Sequence, residues 1–220
     1  MPQFHRTGPL VFSGLICRFL VFATLSVLAA CASHNLPPPG PPLSRSDQQC
    51  LAELDRRGVQ YQVEPQSAST SPACLVHNPI QVSAATVPFS RPTVAACEFV
   101  LKFDAFERDV IRPLAKRSFG RDLKSVVHLG AYSCRPTRGG RESEHAHGLA
   151  MDIAGFELTD GTLISVKQEW GERGKGRDFL HAVATQACRY FNEVLDPDSD
   201  RDHVDHIHLD LGRYKYCIHK

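Results

Sequence analysis

Apolar positions recur along this chain with two periods, and those periods predict most of its elements. Phe99, Phe103, Phe106, Val110 and Leu114 follow one another at steps of four, three, four and four, the spacing of a buried helix face. Ser90 reads as the cap of that helix and Pro92 as a residue of its first turn, and Pro113 is expected to kink or end it. Leu180, Val183, Ala184, Ala187, Cys188 and Phe191 mark a second amphipathic helix, and residues 51–58 a short one. Val59, Tyr61 and Val63 alternate as in a half-buried strand. Residues 126–134 and 148–156 read as buried strands, the latter turning through Thr159, Asp160 and Gly161 into a strand over 163–166, and residues 204–211 form the last strand. Helices and strands in this order, joined by short turns, predict an α+β domain built on an antiparallel sheet flanked by helices.

The apolar run over residues 10–30 has a different character. Its cleanest stretch, residues 19–30, is twelve residues long, too short to span a bilayer, and it suits the core of a secretory signal with Arg6 and Arg18 before it. Leu28, Ala29, Ala30 and Cys31 resemble a bacterial lipobox, which implies cleavage before Cys31, a lipid on its thiol and a membrane anchor; the alternatives are ordinary cleavage without lipidation and an uncleaved anchor over residues 10–30. Residues 37–42 read as a semi-rigid polyproline spacer. The expected organisation is a lipoprotein-type signal peptide over 1–30, a Pro-rich linker over 31–47 and a folded domain over 48–220, exported to the periplasm and tethered there.

Composition narrows the partners. Removing residues 1–30 takes away two Arg and no acid, so the formal charge goes from 25 − 24 = +1 to 23 − 24 = −1, and a nucleic-acid partner is not expected. Of the eight cysteines, Cys17 and Cys31 fall in the leader and its cut site, leaving Cys50, Cys74, Cys97, Cys134, Cys188 and Cys217. In an exported domain six cysteines imply up to three disulfides, with about fifteen pairings open. No close-spaced cysteine pair supports a thiolate metal site.

The chemistry concentrates in two windows. Ser143-Glu144-His145-Ala146-His147-Gly148-Leu149-Ala150-Met151-Asp152 places Asp152 seven positions after His145, and Asp205-His206-Ile207-His208 opens the final strand. Neutral imidazole and carboxylate are both zinc ligands, and three protein ligands with an open fourth position make a catalytic site. The pattern S-x-H-x-x-G-x-A-x-D followed by D-x-x-H or H-x-H resembles the zinc peptidases of peptidoglycan, the D-alanyl-D-alanine carboxypeptidases and L-alanyl-D-glutamate endopeptidases whose fold underlies the hedgehog signalling domain. The runs Gly130-Ala131-Tyr132-Ser133-Cys134-Arg135, Ser143-Glu144-His145-Ala146 and Asp205-His206-Ile207-His208-Leu209-Asp210 resemble, more closely still, the bacterial extensin-like C-terminal domains.

Carried over by position, the resemblance implies one zinc ion on His145, Asp152 and His208, a zinc-peptidase architecture, and hydrolysis of peptide bonds in peptidoglycan stem peptides or cross-links. Relatives place an acid three positions before the last ligand histidine, which makes Asp205 the candidate base, and others use a histidine two positions before it, here His206. In a regular strand over 205–208, His206 and His208 share a face and Asp205 points away, whereas a bulge or turn lets Asp205 swing in. Asp205 is favoured as the base with His206 beside it. Arg135 is the candidate for oxyanion charge, although relatives place that arginine directly after the tyrosine and here Ser133 and Cys134 intervene. Ser143 either orients a ligand or shapes the turn, His147 lines or covers the site, and His203 is read as solvated. Asp196, Asp198, Asp200 and Asp202 alternate like an EF-hand opening, but Arg201 and Ile207 stand where glycine and glutamate are needed, so this is a polar loop, as is the run from Gly171 to Gly176. The competing readings are a catalytically inactive zinc-bearing module that binds wall peptides or a protein, and a metal-free structural lipoprotein.

Overall fold

The computed structural model describes residues 43–65, 71–137, 139–140 and 142–218; the leader, Cys31 and the proline spacer lie outside them. Helix α1 (Arg45–Arg57) starts well before the apolar stripe that predicts it, because its start is polar. Ser44 Oγ accepts from the Asp47 N–H at 3.1 Å, and the Asp47 carboxylate takes the Ser44 N–H at 3.3 Å. Strand β1 (Gln60–Val63) then pairs with β2 (Pro79–Ala84), and β2 with β3 (Pro88–Ala96), all antiparallel.

Neither β2 nor β3 was expected, and β3 overturns the helix start at Ser90. Residues 88–96 are strand, and α2 begins only at Cys97 and runs to Phe106. Thr93 and Val94 favour a pleated backbone, and their ladder partners Val82 and Gln81 supply the pairing. Pro92 lies where the register shifts, between the pairs Val82–Thr93 and Ala84–Pro88, so its missing N–H breaks no ladder bond.

Pro113 does not end the helix either. A wide π turn at Glu107–Ile111, closed by the Arg112 N–H on the Glu107 carbonyl, leads straight into α3 (Arg112–Phe119). The widened turn relieves the clash that a proline ring makes with the carbonyl four residues back.

Strands β4 (Leu123–Gly130), β5 (Ala150–Leu158) and β6 (Leu163–Ser165) follow, then α4 (Val166–Glu169), α5 (Lys175–Ala187), β7 (Glu193–Leu195), β8 (Ile207–Asp210) and β9 (Tyr216–Cys217). The sheet order is β1-β2-β3-β4-β5-β8-β7-β9, with β6 paired to β5 through the expected turn. The domain is therefore mixed α+β. Its sheet is mostly antiparallel, with parallel pairs at β3–β4 and β7–β9.

The phenylalanine stripe is core: Phe99, Phe103 and Phe106 are fully buried, and the Phe191 ring packs 5.8 Å from Phe99 and 5.4 Å from Phe106. All six candidate cysteines pair, as Cys50–Cys97, Cys74–Cys134 and Cys188–Cys217. Among the described residues no helix is long and apolar enough to cross a membrane.

Candidate metal centre

The register of β5 against β8 builds half of the site. Asp152 stands directly opposite His208, so their side chains leave the same sheet face, while the neighbouring pairs Met151–Leu209 and Ile153–Ile207 are fully buried in the core. His145 arrives from a 3₁₀ turn over Glu144–His147. Ser143 caps that turn by accepting the His145 N–H on Oγ at 3.3 Å, and Gly148 ends it in the left-handed region at φ 64°. A Cβ on Gly148 would stand 2.9 Å from the Ala96 nitrogen and 2.9 Å from Val76 Cγ1, so the glycine of the motif lets the turn press against the end of β3.

Three donor atoms meet there. His145 Nε2 lies 3.1 Å from Asp152 Oδ1, His208 Nδ1 lies 2.9 Å from the same oxygen, and the two imidazole nitrogens are 3.2 Å apart. Donors held tetrahedrally at about 2.0–2.1 Å from one zinc ion are separated by about 3.3 Å, so this triangle has nearly the required size. The far nitrogens fix which atoms are free. His145 Nδ1 is 2.9 Å from the Ala131 carbonyl, which only accepts, so in a neutral ring this nitrogen carries the proton and Nε2 presents a lone pair. His208 Nε2 faces the Asp210 carboxylate at 3.2 Å, leaving Nδ1 toward Asp152. Two lone pairs and a carboxylate oxygen at such distances repel unless a shared proton or a metal ion lies among them. The electrostatics express this. Burial opposes charge on His208, but the carboxylates of Asp152 and Asp210 outweigh it and raise the imidazole to about 9. Burial likewise opposes charge on Asp152, and His145 and His208 outweigh it, holding the carboxyl far below the usual range. His145, Asp152 and His208 can hold a metal ion.

The donors open into a cavity of about 750 Å³ whose walls include His203, His206, Arg135, Arg213 and Tyr214. His206 Nε2 lies 3.6 Å from Asp152 Oδ1, and its Nδ1 bonds Asp205 Oδ1 at 2.9 Å.

The family model described as Extensin-like protein C-terminus matches residues 48–218. The chain belongs to this family. No curated protein and no solved structure matches it.

Around the three donors, the extensin-like domain arranges its other candidates unequally. His206 lines the cavity, whereas Asp205 stands behind it with its carboxylate on the far ring nitrogen. Arg135 is exposed on the wall, on the loop that the Cys74–Cys134 disulfide ties to residue 74. His147 turns outward, to the Leu75 carbonyl at 3.0 Å and Glu142 at 2.8 Å, and is not part of the wall. His203 is not solvated: its side chain is 15% exposed, its Nδ1 bonds Asp200 at 2.8 Å, and its ring packs 5.1 Å from that of His206. Burial and the neighbouring histidines lower its pKa against the pull of Asp200. The loop before it is built on aspartates used internally, with Asp196 Oδ1 accepting the Asp198 N–H and Ser199 Oγ. Asp210 has the most readable of the overlooked signals. It follows His208 by two positions on one strand, hence on one face.

Proposed function

We propose that this domain binds one zinc ion through His145, Asp152 and His208 and hydrolyses peptide bonds in peptidoglycan stem peptides or cross-links. The observation that carries the reading is the convergence of two imidazole nitrogens, each with its far nitrogen occupied by an acceptor, on one carboxylate oxygen at the floor of a cavity. Two nitrogens and an oxygen suit zinc, and the accessible side suits catalysis rather than a closed structural site. Held by these three residues, zinc would supply a Lewis acid for the scissile carbonyl and would acidify water to a pKa of about 7.

The chain's own residues move the proton. His206 faces the cavity and accepts a proton on Nε2 as water adds to the carbonyl, then returns it to the departing amine; Asp205 holds Nδ1–H and steadies the imidazolium. The base role thus passes to His206, with Asp205 as its support. Arg135 on the wall offers its guanidinium to developing oxyanion charge. The substrate class rests on the resemblance to peptidoglycan peptidases and on the signal read in residues 1–31. The same signal supports export to the periplasm and a lipid anchor at Cys31.

One observation favours a second reading, a zinc-bearing module that binds wall peptides without cutting them: the acid three positions before His208 does not reach the cavity wall. Digestion of purified muropeptides with and without a chelator, beside elemental analysis of the protein, separates the readings. One equivalent of zinc with chelator-sensitive new products supports hydrolysis. Zinc without products supports the binding module, and no zinc refutes both.

A further inference from the structure

The imidazole of His208 lies between two carboxylates. Asp152 Oδ1 is 2.9 Å from Nδ1, and Asp210 Oδ2 is 3.2 Å from Nε2. A neutral ring has one proton for these two acceptors, and its position decides what the ring can bind. A proton on Nδ1 points at Asp152 and closes that nitrogen to a metal; a proton on Nε2 leaves the Nδ1 lone pair free.

We propose that Asp210 is the positioning residue of the metal centre, holding His208 in the Nε2–H tautomer so that Nδ1 faces the ion. The inference rests on the metal-binding reading of His145, Asp152 and His208. Asp210 is 3% exposed, and its Oδ1 accepts the Gly212 N–H at 2.8 Å, so the carboxylate is clamped with Oδ2 turned to the ring. Without it, Asp152 becomes the strong acceptor on His208, and the proton moves to the side the ion needs. His145 shows the same device with a weaker acceptor, the Ala131 carbonyl on Nδ1. A carboxylate behind a ligand histidine also raises its basicity toward the metal. Glu193, the ladder partner of Asp210, adds a third carboxylate near His208, so that Glu193, His208 and Asp210 on their own resemble a cation site. A proton on Nε2 rules that out, because the ring then has no lone pair on that side.

Asp210→Asn tests the assignment with a side chain of the same shape. An amide has one acceptor oxygen and an NH₂ that only donates. If the oxygen stays on the Gly212 N–H, the NH₂ faces Nε2 and drives the ring proton to Nδ1. Zinc affinity of the purified full chain, measured by competition with a chromophoric chelator, is expected to fall roughly 10–100-fold in Asp210→Asn. Long-range ¹H–¹⁵N spectra of the zinc-loaded wild type should show His208 protonated at Nε2. Unchanged zinc affinity in Asp210→Asn overturns the proposal, because a purely structural role is met by asparagine. So does a proton on Nδ1 in the zinc-loaded wild type, a result that stands even if the variant does not fold, and so does a second zinc equivalent lost in Glu193→Gln. A wild type that binds no zinc instead removes the metal reading beneath it.

Discussion

Replacing Glu107 by Gln should remove a pH dependence of stability that the π turn builds into the core. Glu107 is 0% exposed, and its carboxylate accepts the Val87 N–H at 3.1 Å. Its neighbour Asp104 is equally buried but is held by Arg57 at 3.1 Å and Arg108 at 3.0 Å. Burial, with the Asp104 charge adding to it against the Val87 N–H and Arg112, pushes the Glu107 carboxyl up to about 7 from 4.5. The folded state therefore binds this proton more tightly than the unfolded chain. The stability it contributes is complete below about 4.5, declines as pH rises, and is gone above about 7. At about 1.36 kcal/mol per pKa unit the swing is about 3 kcal/mol. Gln keeps an acceptor for the Val87 N–H and has no proton to lose. Guanidinium unfolding of both proteins with disulfides intact, at pH 4 and pH 8, gives the difference directly, since every other carboxylate cancels. The variant's stability relative to wild type should rise by about 3 kcal/mol between those pH values, levelling off above pH 7. A difference that stays constant over this range refutes the reasoning.

Further outcomes follow from the site and its supports. Zinc at about 100 times its dissociation constant should stabilise the wild type by about 2.7 kcal/mol in a melting experiment, and should leave His145→Ala and Asp152→Ala unmoved. His206→Ala should keep its zinc by elemental analysis while losing roughly 10²–10⁴-fold in muropeptide turnover. Gly148→Ala should cost more than about 2 kcal/mol in chemical unfolding, since a Cβ there combines a left-handed backbone with backbone contact at Ala96.

Local signals in the chain announced some of this structure and concealed the rest, for reasons that lie in which contacts are local. The Phe99–Phe103–Phe106 face is set by helical period alone, and the β5–β6 hairpin by Thr159-Asp160-Gly161, so both were readable. Ser90 followed by Pro92 imitates a helix start equally well, and it is pairing with β2, more than ten residues away along most of that ladder, and with β4 at Phe89–Val126 that makes the segment strand. The six cysteines announced disulfides, but their partners lie 29–60 residues apart and no spacing selects among them. The question of Asp205 against His206 is framed by strand alternation, yet β8 starts at Ile207 and both residues precede it, Asp205 at the end of a turn and His206 between that turn and the strand. That approach to the strand sends His206 to the cavity and Asp205 behind it. His203 sits in an aspartate-rich run that reads as solvated surface; its burial arises because the loop folds back over His206 and His208.

The donors also differ in how firmly the fold holds them. Asp152 and His208 are cross-strand partners in the interior of the sheet, and a slip of β8 by one residue would turn Ile207 and Leu209 out of the core. Their spacing is therefore as stable as the domain. His145 has no ladder: it depends on the Ser143 cap, the Ala131 carbonyl and the Gly148 contact with the end of β3, next to Cys97 and its bridge to Cys50. Local opening costs least where few contacts must break, so His145 is the donor expected to leave first and return last as the site loosens. Hydrogen exchange should register this as faster exchange of the His145 amide than of the Asp152 and His208 amides, with zinc narrowing the gap. Equal protection of all three would mean that the turn is held by more than the bonds around it account for.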